Sequence, residues 1–139
     1  MQIAWPPSRK LFNQIKPLKM KFLTHVPAAI LAFLFLFGGI NFFIPLAPMP
    51  TMTGNQLAFF NLFGPTGYMA VIKVLEIIGG VLIIIPTKRA LGTLILAPIS
   101  VNILLFEICL ANAPGIGILL IALIGLVIYQ EKQKFLALL

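Results

Sequence analysis

What the chain lacks already rules out several kinds of protein. It has no aspartate, one cysteine, Cys109, and one histidine, His25. A lone cysteine excludes an internal disulfide and any Cys-x-x-Cys redox pair. A lone histidine with no Cys/His cluster supplies no ligand set for haem or zinc, which take several side chains each, so no metal site is expected. Charge is scarce too, at 9% of residues against about 25% in ordinary soluble domains. With 60% of its residues hydrophobic, a soluble fold of this size could not hide its apolar surface. The composition is that of an integral membrane protein of one domain.

The net charge is +7, but the cations form no patch with interleaved aromatics, so nucleic acid is not an expected partner. They lie between apolar runs. Residues 1–22 form a basic arm in which Leu11, Phe12, Ile15, Leu18 and Phe22 recur at helical spacing. That spacing suits a short surface helix on an anionic leaflet, with Trp5-Pro6-Pro7 at headgroup level and Pro17 expected to break it. A disordered tail is the alternative. A cleavable signal peptide is not expected, because no small-x-small site follows the long apolar run.

The remaining pattern predicts an all-α fold, an antiparallel bundle of four transmembrane helices over about 26–44, 67–85, 90–110 and 114–129. Thr24 or His25 is expected to cap the first span, with Pro27 in its first turn. Residues 51–66 carry no charge; they are too apolar for a free loop and too short to span, which predicts an interfacial or re-entrant segment. Pro98 is expected to kink the third span. Gly79, Gly80, Pro98, Gly117 and Gly125 are the expected helix-packing positions. Residues 23–134 make up the transmembrane domain and 135–139 a short tail.

Nine of the ten Lys/Arg residues fall in the arm, the Lys88-Arg89 turn and the Lys132/Lys134 tail, and none falls in 45–66 or 111–115. That asymmetry predicts a multi-pass protein with both termini cytoplasmic.

Lys73 and Glu76 stand inside the second span. A charge at the middle of a span costs roughly 2.5–3.5 kcal/mol on insertion scales, so it needs a partner or a task. Three residues apart on a helix, the two side chains reach one another. At about 1.5 Å per residue, they lie roughly 9 and 13 Å below the outer end of their helix. Asn102 in the third span lies at a similar depth. Glu107 and Asn41 are shallower. The candidate ligand-binding residues are therefore Lys73, Glu76, Asn102, Glu107 and Asn41, opening towards the outer face. On the third helix Pro98, Asn102 and Cys109 share one face, while Thr93, Ser100 and Glu107 share a nearly opposite one. Either that helix is buried on two sides, with a second protomer as one cover, or Glu107 faces outer water.

The run Ile72-Lys-Val-Leu-Glu-Ile-Ile-Gly-Gly-Val-Leu82 and the later Leu96-Ala-Pro-Ile-Ser-Val-Asn-Ile-Leu-Leu-Phe106 resemble the DoxX-like family of small four-helix membrane proteins. The shared pattern is Lys-x-x-Glu-x-x-Gly-Gly, then Ala-Pro-x-x-Val-Asn ending in Phe-His, carried here by Lys73, Glu76, Gly79, Gly80, Pro98, Val101, Asn102 and Phe106. Glu107 stands where the family pattern has histidine. The resemblance implies a bacterial inner-membrane bundle associated with thiosulfate:quinone or oxidative-stress redox chemistry. The chain itself shows no self-contained catalytic motif and no evident cofactor, so any redox role needs a quinone or a partner subunit. Three functions stay open: a subunit or small-molecule binder, quinone being the candidate; a small transporter or proton pathway; and a structural membrane partner, homo-oligomeric or in a complex, whose Lys–Glu pair only fixes helix register.

Overall fold

The computed structural model describes residues 9–138, with side chains from residue 20 onward. The expectation for Trp5-Pro6-Pro7 and the apolar spacing of Leu11, Phe12, Ile15 and Leu18 lie outside the described residues and side chains. Every element among the described residues is helical. They are α1 (Arg9–Phe43), α2 (Gly54–Phe63), α3 (Tyr68–Ile84), α4 (Arg89–Phe106), α5 (Ile116–Gln130) and α6 (Lys132–Leu136); α4 runs on into a π-helical turn over Glu107–Ala111.

Two stretches are long and apolar enough to cross a membrane, Met20–Phe43 and Arg89–Ala111, or three if α2 and α3 together make one bent span. α3 has 17 residues and α5 has 15, or roughly 25 and 22 Å of helix, short of a hydrocarbon core of about 30 Å.

α1 differs from the expectation at its start. It is already helical at Arg9, the first described residue, so neither Thr24 nor His25 caps it, and Pro17 does not break it. Thr24 instead returns its hydroxyl to the Met20 carbonyl one turn back (2.9 Å). A proline inside a helix removes one hydrogen bond, and a 35-residue helix has many others to hold it.

The helices alternate in direction. Gly39 of α1 lies against Ile77 and the Lys73 carbonyl of α3, while Gly80 lies against Leu36 and Ala32. α3 turns into α4 through residues 85–88. Gly79 then meets Leu96, and Gly92 meets the backbone of Ile83. Gly117 of α5 packs on Leu104 of α4, and α5 also touches α1. The core between them holds Leu31 and Phe35 of α1, Ile83 of α3, Leu96 of α4, and Leu120 and Val127 of α5. Thr93 and Ser100 are buried there, each hydroxyl donating to the carbonyl four residues earlier.

The closest crossing is at Gly92. A Cβ there would sit 2.6 Å from the Ile83 nitrogen and 2.9 Å from the Gly79 carbonyl oxygen. Backbone cannot swing aside as a side chain can. Gly92→Ala is therefore expected to cost about 1–3 kcal/mol. Gly125 is exposed, and a Cβ there would meet nothing, so the packing role expected for it is not observed. Gly125→Ala is expected to be neutral or stabilising by up to about 1 kcal/mol through helix propensity. Unfolding of both variants in detergent micelles checks the contrast. Pro98 is likewise exposed.

Candidate functional site

α2 lies at 91° to α3. The bend falls in the turn before Tyr68, where Gly67 holds φ +78°, a backbone conformation that glycine adopts without steric cost. The bend carries α2 across the end of the helices, where Phe59 and Phe60 meet Phe106 of α4 edge to face, with ring centroids 5.3 and 5.7 Å apart. Under these rings lies a cavity of about 100 Å³ lined by Met69, Ile72, Lys73, Glu76, Asn102 and Ile103, among others.

Lys73 and Glu76 form the polar wall. The ammonium donates to both carboxylate oxygens, at 2.8 and 2.9 Å. Glu76 is 3% exposed and Lys73 20%, as expected when a carboxylate is fixed in protein and a flexible stem lets the ammonium reach outward. Gly39 permits this placement by letting α1 approach the Lys73 turn within contact of its carbonyl. An ammonium has three donors, and two point at Glu76. Asn102 is exposed at the cavity edge and makes no side-chain hydrogen bond among the described residues. A second hollow, of about 290 Å³, adjoins along α4 and shares Phe59, Asn102 and Phe106; Leu105, Cys109 and Leu110 also line it.

The other two candidates are elsewhere. Asn41 ends α1: its side-chain oxygen accepts from the backbone N–H groups of Leu46 (2.8 Å) and Ala47 (2.7 Å). Glu107 neither lines the cavity nor is left free to face outer water. One of its oxygens accepts from the N–H groups of Gly115 and Gly117, both at 2.9 Å. The first N–H groups of a helix have no intrahelical partner, and the helix dipole favours an anion beside them. Glu107 is thus the borrowed N-terminal cap of α5. Gly117 is part of the fit, since a Cβ there would lie 2.7 Å from the carboxylate. The two faces of α4 are thereby told apart: Thr93 and Ser100 look into the core, Glu107 turns to α5, and Pro98, Asn102 and Cys109 are exposed.

Glu107→Ala is expected to cost about 1–2 kcal/mol, the range for loss of a helix cap. Glu107→Gln keeps an acceptor oxygen and should recover about half of that loss. Chemical unfolding of the two variants, together with amide exchange at Gly115 and Gly117, reads both effects.

The opposite end holds a cluster that local patterns do not reveal. Arg89 is a topogenic cation by sequence, yet its side chain is only 4% exposed. Its Nε donates to the Ile83 carbonyl of α3 (3.0 Å), one terminal nitrogen to Glu131 (3.0 Å), and the other to Nδ1 of His25 (2.9 Å). Lys134 pairs with Glu131 and donates to the Pro86 carbonyl. One guanidinium so joins α1, α3, α4 and the α5–α6 junction. The partners are 64 and 42 residues away in sequence, which is why no short-range spacing signals them.

No group of three or more His, Cys, Asp or Glu side chains suited to a metal occurs among the described residues. The chain matches no protein-family model, no curated protein and no solved structure.

Proposed function

We propose that this is a DoxX-like protein of the bacterial inner membrane that binds a small apolar molecule with a carbonyl or hydroxyl head, and serves as a subunit linked to membrane redox metabolism. The observation that carries the reading is the cavity under Phe59, Phe60 and Phe106, with the spare donor of Lys73 and the unpartnered amide of Asn102 at its edge. Pockets of this kind are mostly apolar with a few convergent polar groups. A quinone fits the donor set, with its carbonyl on Lys73 or Asn102. An engineered cavity of about 150 Å³ holds one benzene ring, so a ring here extends into the adjoining hollow. When bound, a quinone would supply electron transfer to a partner subunit.

In this reading α1, α3, α4 and α5 all cross the bilayer. Their apolar outer faces support it: Phe33, Val71, Leu94 and Ile118 are each more than half exposed. Lys88, Arg89, Lys132 and Lys134 gather at the end away from α2, which supports a cytoplasmic position for that end and for both termini. α2, with Leu57 and Leu62 exposed, lies in the outer interface.

A proton pathway loses its main support, because Glu107 is committed to capping α5 rather than continuing from Glu76. The structural-partner reading has one observation in its favour: the Lys73–Glu76 pair satisfies its carboxylate without any ligand. Titration of a short-chain benzoquinone into the purified protein in lipid nanodiscs separates the two. Binding that weakens at least tenfold in Asn102→Leu, with unchanged thermal stability, is expected. Absence of binding, or equal binding by the variant, would leave the structural role as the better account.

A further inference from the structure

The lower part of α1 is tied to the rest of the protein in an unusual way. Met20, Phe22 and Leu23 are 66%, 74% and 63% exposed, so this stretch buries little against the other helices. Burial begins at Pro27 and Ala28. Pro27 has no N–H, so the Leu23 carbonyl lacks its helical partner, and the helix is weakest just where the exposed part joins the packed part. Among the described side chains, the tie from the exposed part to another helix is His25 to Arg89 (2.9 Å).

That tie requires one protonation state. A guanidinium only donates, so Nδ1 of His25 must accept and therefore carries no proton. In the imidazolium form both ring nitrogens donate. The hydrogen bond is then lost, and two cations face each other at contact distance. We propose that His25–Arg89 is a proton-sensitive clasp, closed on the neutral imidazole and opened by its protonation, which frees the part of α1 before Pro27 to hinge away from α4.

The charged neighbours determine how the clasp responds. α1 presents Lys21 one turn earlier on the same face. α4 presents Arg89. The α5–α6 junction presents Glu131 and Lys134, and Glu131 is already shared between Lys134 and Arg89. α3 contributes the Ile83 carbonyl, which holds Arg89, and the turn after it the Pro86 carbonyl, which holds Lys134. Among the described residues, this cluster offers a protonated His25 no carboxylate that is not already engaged by Lys134 and Arg89. Arg89 stays anchored to Ile83 and Glu131 when the clasp opens, so the rest of the fold persists. This device is independent of what the aromatic cavity binds.

Spin labels at Leu23→Cys and Lys88→Cys, in a Cys109→Ser chain reconstituted in phosphatidylcholine vesicles, read the clasp as a distance distribution. Between pH 8 and pH 5.5 the ratio of short to long distances is expected to fall tenfold or more, about the weight of one hydrogen bond to a charged group. His25→Gln keeps an acceptor but does not titrate, and its distribution should be the same at both pH values. His25→Lys should be open at both. A wild-type distribution unchanged by pH, or an equal pH response in His25→Gln, would overturn the proposal. His25 is exposed, so these variants test the clasp without disturbing the core.

Discussion

Glu76→Gln is expected to destabilise the folded protein by about 3–5 kcal/mol, while Lys73→Met combined with Glu76→Leu leaves it within about 1 kcal/mol of the parent or more stable. The asymmetry follows from burial. Removing the carboxylate strands an ammonium that is four-fifths buried inside an apolar helix, and the desolvation cost of that charge is then uncompensated. Removing both charges removes both desolvation costs together with their attraction, and methionine and leucine fill similar space. A double-mutant cycle by denaturant titration in mixed micelles measures the coupling. Equal losses in the single and double variants would mean that the pair stabilises outright. The double variant also supplies a folded protein with the polar wall of the cavity removed.

Arg89→Met is expected to cost a similar amount, about 3–5 kcal/mol, although Arg89 attracts no notice as a core residue in the sequence. It leaves the Ile83 carbonyl without its side-chain donor and unties α1 and the α5–α6 junction. Arg89→Lys should recover little. A single ammonium on a flexible stem does not reproduce the planar fork that reaches three acceptors on three sides. The same cluster sets an acid limit. Burial raises the Glu131 pKa, but hydrogen bonds from Lys134 and Arg89 and the charges of both outweigh it, so the net pKa lies below the ordinary carboxylate range. A depressed folded-state value contributes stability that is present above the unfolded value, about 4.3, and is lost as pH falls through the lower folded value. The parent should therefore lose stability below about pH 4. Glu131→Gln, already weakened at neutral pH, should lose less over the same interval. Thermal unfolding from pH 7 to pH 3 tests the difference.

Legibility tracks the range of the interaction that places each residue. The all-helical class and the apolar character of the helices were readable because apolar runs near 20 residues need no tertiary context. The Lys73–Glu76 contact was readable because three residues on a helix bring side chains together whatever surrounds them. Glu107 was not readable in this way. Its depth along α4 resembles that of a cavity residue, but its task depends on where α5 begins and on the π-helical turn that aims it. Gly117 and Gly125 look alike in sequence at eight residues' spacing, yet only Gly117 sits at a helix contact. Gly92 shows the reverse: an isolated glycine with no repeat around it occupies the tightest backbone crossing. The start of α1 was misplaced because Pro17 and the Thr24–His25 pair carry local stop and cap signals that the helix overrides. Arg89 was hidden because a cation after Pro86-Thr-Lys satisfies the topology pattern by itself.

The central claim is that the cavity bounded by Lys73, Glu76, Asn102 and the three phenyl rings holds a small molecule with a polar head. Mass spectrometry of organic extracts tests it most directly, comparing the parent and the Lys73→Met/Glu76→Leu variant after purification from the same membranes in mild detergent. The expected result is an amphiphile bearing a carbonyl or hydroxyl head, recovered near one per chain from the parent and depleted at least tenfold from the equally folded variant. Recovery of no such molecule from the parent, or of equal amounts from both proteins, would contradict the claim.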